Sequence, residues 1–219
     1  MLFLGAYAKH KFIDGKFVIT GHLSKKTDEI SGIAASAINK DVFYVMNDSG
    51  DRSRFFAISP KGKILSSIAY TWNNSGQHDC EDIATGPGPK AGKSYVYVAN
   101  IGDNKSDRDF ICIYRVQDSP AFATQKTVDA KASVIYLKYP DRPKDAEAFM
   151  VDPVDKLMYI VTKRMDSVTV YTAPLNASAN DTTILTKRCR LFFPGIKPFK
   201  WITSGSISHD GRYVLLKSY

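Results

Sequence analysis

This sequence is short of several things, and each shortage excludes a class of protein. It holds three cysteines, Cys80, Cys112 and Cys189, too few and too widely spaced for a disulfide framework, and none sits in a CxxC pair of the kind that binds zinc. No apolar run approaches the roughly 18 residues that a membrane span requires. No stretch of helical periodicity rivals the β-branched and aromatic runs described below. A G-x-S-x-G elbow is missing, which removes serine-nucleophile chemistry of that type. "AGKSYVYV", around Lys93, fails as a phosphate-binding loop because it lacks the leading glycine and runs into a strand. No nucleic-acid module signature is present, so specific nucleic-acid binding is not expected. "YVMNDSGDRSRFF" has the oxygen-rich look of a calcium loop, yet the EF-hand spacing counted from Asp48 fails.

What is present points to a folded chain. With 219 residues and 44% hydrophobic content, it can bury a substantial core. The formal net charge of +8 suits acidic macromolecules, polyanionic glycans or extracellular matrix components among them, or else marks a solvated basic surface. The basic residues are scattered except in "TKRCRLFFPGIKPFK". Five of the eight asparagines, Asn47, Asn73, Asn104, Asn176 and Asn180, open an N-x-[ST] sequon. Asn47 and Asn104 fall in turn motifs, so Asn73, Asn176 and Asn180 are the stronger glycosylation sites, and secretion is the expected destination. The opening "MLFLGAYAKHK" ends its apolar stretch in Ala6-Tyr7-Ala8 and reads either as the tail of a signal peptide or as an apolar strand.

Internal repetition organises the remainder. Four segments, "SGIAAS" at Ser31, "EDIATG" at Glu81, "EAFMVD" at Glu147 and "SGSISHDG" at Ser204, each precede a strongly β-forming strand: "VFYVMN", "SYVYVAN", "LMYIVTK" and "YVLLKSY". Third and fourth strands follow the first three, with "SPKGK", "GPGPKAGK", "DPVDK" and "SHDGR" as turn punctuation. Four antiparallel strands at this period describe a β-propeller blade, so the expected fold is all-β. Blades are expected at about 29–75, 79–139 and 145–192, with a truncated one at 203–219, after an N-terminal segment 1–28 whose strand "GKFVITGHL" belongs to a closing blade. An arc of three and a half blades leaves sheet faces uncovered, so the expectation is an incomplete ring.

Taken in order, "SGIAAS", "YVMNDSGD", "EDIATGPGP", "SYVYVANIGDN", "IYRV", "LKYPDRPKDAEAFMVDP", "LMYIVTK" and "SGSISHDGRYVLLKSY" resemble a family of β-propeller proteins of uncharacterised role, found widely in bacteria and in some animals. That family is related to the domain labelled esterase-like activity of phytase. The resemblance covers about Glu29 to Tyr219 and implies a propeller; it supplies no agreed catalytic set.

Blade geometry then locates a site. The first and second strands of a blade run antiparallel, so the start of one and the end of the other share a face of the disc. Glu81 should lie near Asn100, Glu147 near Lys163, and Ser31 near Asn47 and Asp48, all around one channel mouth. Calcium is the candidate cofactor, with Glu81, Glu147, Asn47, Asp48, Asn100 and Asp103 as candidate ligands, because Ca²⁺ takes six to eight such oxygens. If the site is catalytic, Glu147 or Asp82 is the candidate general base acting on water at an ester or phosphoester. The plainer alternative pairs Glu147 with Lys163 and satisfies Glu81 and Asp82 with backbone donors or His78. Two functions stand side by side: a secreted binding propeller of the extracellular-matrix type, and a calcium-dependent esterase, lactonase or phosphoesterase.

Overall fold

The structure, a computed structural model, describes residues 19–48, 50–71 and 79–219. The signal-like opening, residues 15–18 of "GKFVITGHL", Asn73 and His78 lie outside the described residues; residues 19–23 of that stretch are described and form no strand, so it does not supply the closing-blade strand expected there.

Hydrophobic alternation becomes strand almost everywhere. β1 (Ile30–Ala35), β2 (Phe43–Asn47), β3 (Arg54–Ile58) and β4 (Ile64–Thr71) form the first antiparallel meander. β5 (Cys80–Pro87), β6 (Ser94–Asn100), β7 (Ile111–Gln117) and β8 (Thr127–Lys138) form the second. β9 (Ala146–Asp152), β10 (Leu157–Thr162), β11 (Ser167–Pro174) and β13 (Thr186–Phe192) form the third, and β12 is the two-residue Thr183–Ile184. β14 (Ile202–Ile207) and β15 (Val214–Ser218) pair as a hairpin. One helical turn, Ala121–Thr124, is lodged between β7 and β8. Among the described residues no helix is long and apolar enough to cross a membrane.

These sheets stack face to face, because strands in the middle of a blade are buried on both sides. Along β6, Tyr95, Tyr97 and Ala99 enter the core shared with Phe149, Met158 and Tyr171 of the third blade. Val96 and Val98, pointing the other way, enter the core shared with Tyr44, Phe55 and Ile68 of the first. A third core, with Met150, Val161 and Ile202, joins the third blade to the β14–β15 hairpin. Burying a large apolar side chain contributes about 1.5–3 kcal/mol, so these inter-blade layers hold the disc together. Edge-to-face contacts such as Tyr44–Phe55, 5.5 Å between centroids, add directional packing. The innermost strands β1, β5, β9 and β14 touch in succession around an axis, and β14 also meets β1. The chain is a β-propeller.

The blades are not fully separate quartets. β4 and β8 pair in parallel from Ser67↔Thr127 to Thr71↔Lys131, which merges the first two blades into one sheet. The cause is length: β8 runs 12 residues against the 7 of β7, so its first half has no partner within its own blade. The strand is long because the alternation Val128, Ala130, Ala132, Val134 packs on the core from its start onward. "TILTKRCRL" likewise divides, with Thr183–Ile184 joining β8 and the remainder forming β13.

Candidate functional site

Four equivalent irregularities build the site. In β1 the register skips from Ile30↔Asn47 to Gly32↔Met46, leaving Ser31 unpaired. The same skip leaves out Glu81 in β5, Glu147 in β9 and Thr203 in β14. A bulge bends the strand and re-aims the extra side chain. All four bulged residues line one cavity of about 430 Å³ at the axis, together with Asp48, Asp79, Asn104, Lys163, Lys217 and Tyr219. The internal repeat points to Ser204 as the fourth position, but the bulge assigns it to Thr203, one residue earlier.

Below the mouth, Asp82 locks the innermost strands to one another. Its carboxylate accepts the backbone N–H of Phe149 at 3.0 Å from β9, of Gly205 at 3.1 Å from β14 and of its neighbour Ile83 at 2.9 Å. The Ser204 hydroxyl donates to it as well, at 3.2 Å. Gly32 of β1 comes so close that a Cβ there would lie 2.6 Å from an Asp82 oxygen. Burial pushes the Asp82 carboxyl up to about 7, although each of these donors pulls the other way. Both its oxygens are engaged, and the residue is fully buried.

The wall formed by the first two blades is acidic. Oxygens of Asp48, Asp79 and Glu81 all lie within 4.8 Å of one another. Glu81 is 5% exposed, and no hydrogen-bond donor to its carboxyl is found among the described residues. Burial first, then the negative charges of Asp48, Asp79 and Asp145, pushes it up to about 9, with Lys163 opposing. Burial followed by the Asp48 charge also raises Asp79. Room for this crowd comes from Gly102, where a Cβ would stand 2.4 Å from Glu81 Oε1 and 2.5 Å from Asp79 Cγ. Carboxylates offer hard oxygens, the donor type that suits calcium-like cations over soft metals, so these three are the residues that could hold such an ion.

The opposite wall is basic. Lys163 forms an ion pair with Glu147, and its ammonium also donates to the Tyr219 hydroxyl at 3.0 Å. Lys163 lies 5.8 Å from the Trp201 ring centroid. Lys217 donates to the Thr203 hydroxyl at 3.1 Å.

Of the six candidate ligands, Asp48, Glu81 and Glu147 reach the mouth, Glu147 already paired. The other three hold turns. Asn100 accepts from the Asp79 N–H at 2.9 Å and from Arg108 at 3.0 Å, and donates to the Tyr114 hydroxyl at 3.0 Å. Asp103 accepts the N–H groups of Asp107 and Arg108 at 3.1 and 3.0 Å. Asn47 donates to the Lys26 carbonyl at 3.0 Å. Asp79 was not among the candidates, although its position two residues before Glu81, on the entry to β5, could have suggested it. Of the sequons, Asn104, Asn176 and Asn180 are exposed and Asn47 is buried. Cys80 and Cys112 are buried free thiols and Cys189 an exposed one.

No family model matches the chain, and no curated protein matches it in sequence. Solved structures do. The Dos1 propeller aligns with a TM-score of 0.46 at 13% identity over 85% of this chain and 42% of its own. The Cps50 (Swd1) β-propeller domain of Myceliophteria thermophila aligns at 0.43 and 8% identity, over 90% and 55% respectively. A putative 6-phosphogluconolactonase from Bacteroides uniformis aligns at 0.38 and 12% identity, over 86% and 64%. The chain thus spans about half the length of the first two structures it resembles.

Proposed function

We propose that this chain is an extracellular binding propeller that takes an acidic ligand at its axial mouth through a calcium ion held by Asp48, Asp79 and Glu81. The observation that carries this reading is the convergence of those three carboxylates within 4.8 Å beside a cavity of about 430 Å³. Three protein carboxylates fill only part of a calcium shell, so an acidic group of a glycan or matrix component can complete it. Lys217 on the facing wall would meet the same anion. The exposed sequons at Asn176 and Asn180 support an extracellular setting.

The hydrolase reading needs a spare carboxylate to take a proton from water. Glu147 is engaged by Lys163, and Asp82 by four donors, which favours binding over catalysis. Calorimetry in chelator and in calcium tests the proposal, because a ion bound only by the native state raises the melting midpoint. The expected result is a calcium-dependent rise that Asp79→Asn abolishes. An unmoved midpoint sinks it. Calcium-dependent turnover of esters or lactones would instead transfer the site to the hydrolase reading.

A further inference from the structure

A second surface, on the same face of the disc, has no part in the mouth. Between Asp181 and Asp210 the chain contains no acidic residue, yet it carries Lys187, Arg188, Arg190, Lys197 and Lys200. β13, an outer strand, presents its three cations to solvent, and the connection to β14 follows it directly. On that connection and the strand end before it stand three large apolar side chains: Ile196 is 79% exposed, Phe199 68% and Phe192 65%.

The segment is held in this posture. Lys197 and Lys200 pair with Asp166 of the β10–β11 turn at 3.0 and 3.4 Å. The N–H of Lys200 donates to the Ile196 carbonyl at 3.2 Å, and that of Trp201 to Pro198 at 2.8 Å. At the base, Arg164 lies 5.2 Å from the Trp201 ring centroid. Lys200 lies 5.5 Å from the Phe192 centroid. Exposed apolar tips fixed among cations are matched in chemistry by a bilayer bearing anionic headgroups, where the tips enter the acyl boundary and the cations meet phosphate and carboxylate. A soluble polyanion would engage the cations alone and would leave the apolar tips unused.

We propose that the β13 edge and the 193–200 connection dock this protein peripherally on an anionic lipid surface, with Ile196 and Phe199 as the inserting side chains. Sedimentation of the full chain with vesicles tests it, comparing equimolar phosphatidylserine–phosphatidylcholine with phosphatidylcholine alone. Wild-type protein is expected to sediment with the first and not with the second. The pair Ile196→Ser/Phe199→Ser should lose about tenfold or more of the partitioning, and the pair Lys187→Glu/Arg190→Glu a similar amount, both with unchanged melting midpoints because all four side chains are at the surface. Wild-type protein that ignores both vesicles overturns the proposal. So does an apolar-pair variant that sediments as well as wild type, or binding to soluble heparin without binding to the anionic vesicles.

Discussion

Replacing Glu81 with Gln should make the calcium-free protein more stable at neutral pH, although it deletes a carboxylate from the candidate site. In the folded protein, burial and three neighbouring negative charges hold this carboxyl protonated up to about 9, against 4.5 for a free glutamate. Between those values the native state retains a proton that the unfolded chain has released, so stability falls as pH rises through the window. At about 1.36 kcal/mol per pH unit, the loss accumulated from 4.5 to neutrality is about 3 kcal/mol, a ceiling on what the substitution restores. Gln keeps the shape and never ionises. For a chain of this size the gain corresponds to a midpoint rise of about 6–12 °C in chelator. In acid, where both forms are neutral, the difference should vanish. Calcium should reverse the ranking, because wild type then gains binding energy that the variant has lost. Melts of both proteins at acid and neutral pH, with chelator and with calcium, read all of this at once. A variant that melts below wild type at neutral pH in chelator, or that gains as much from calcium, would refute the reasoning.

Gly102→Ala should leave the fold intact while erasing calcium-dependent stabilisation, since its new methyl would occupy the space of Glu81 Oε1 and displace that flexible carboxyl; the check is the midpoint in calcium against chelator. Asp82→Asn should cost about 2–4 kcal/mol in urea denaturation, because its amide sets a donor against backbone N–H groups from β9 and β14. Lys163→Met should cost about 3–5 kcal/mol by the same measurement, as it strands Glu147 at a largely buried position. Tyr44→Phe, which removes a 2.5 Å hydrogen bond to Asp118 linking the first two blades, should cost about 1–2 kcal/mol and leave calcium binding untouched.

The strands were legible because a side chain's alternation along a strand is written directly into sequence: "SYVYVAN" sends tyrosines to one blade interface and valines to the other, and both are apolar. The mouth was legible only in part: antiparallel pairing alone brings Glu147 to Lys163 and Glu81 to the turn after β6. Bulges were not legible. An extra residue in a strand leaves no mark of its own, which is why Thr203 was displaced by Ser204 in the repeat and why Asp82 was grouped with the mouth acids instead of the donors beneath them. Asn47, Asn100 and Asp103 share the ligand chemistry of Asp48, and only local geometry distinguishes an amide that closes a turn from a carboxylate that faces a cavity.

The lateral seam between β4 and β8 has a consequence for how the molecule comes apart. Because each of these strands shields a stretch of the other's peptide groups, neither blade can detach without exposing amides that both now share. The region from β1 to β8 therefore opens as one cooperative block, and deuterium uptake along β4 and along the first half of β8 should rise together. For protein engineers, cutting the chain between the first two blades would tear a sheet in half.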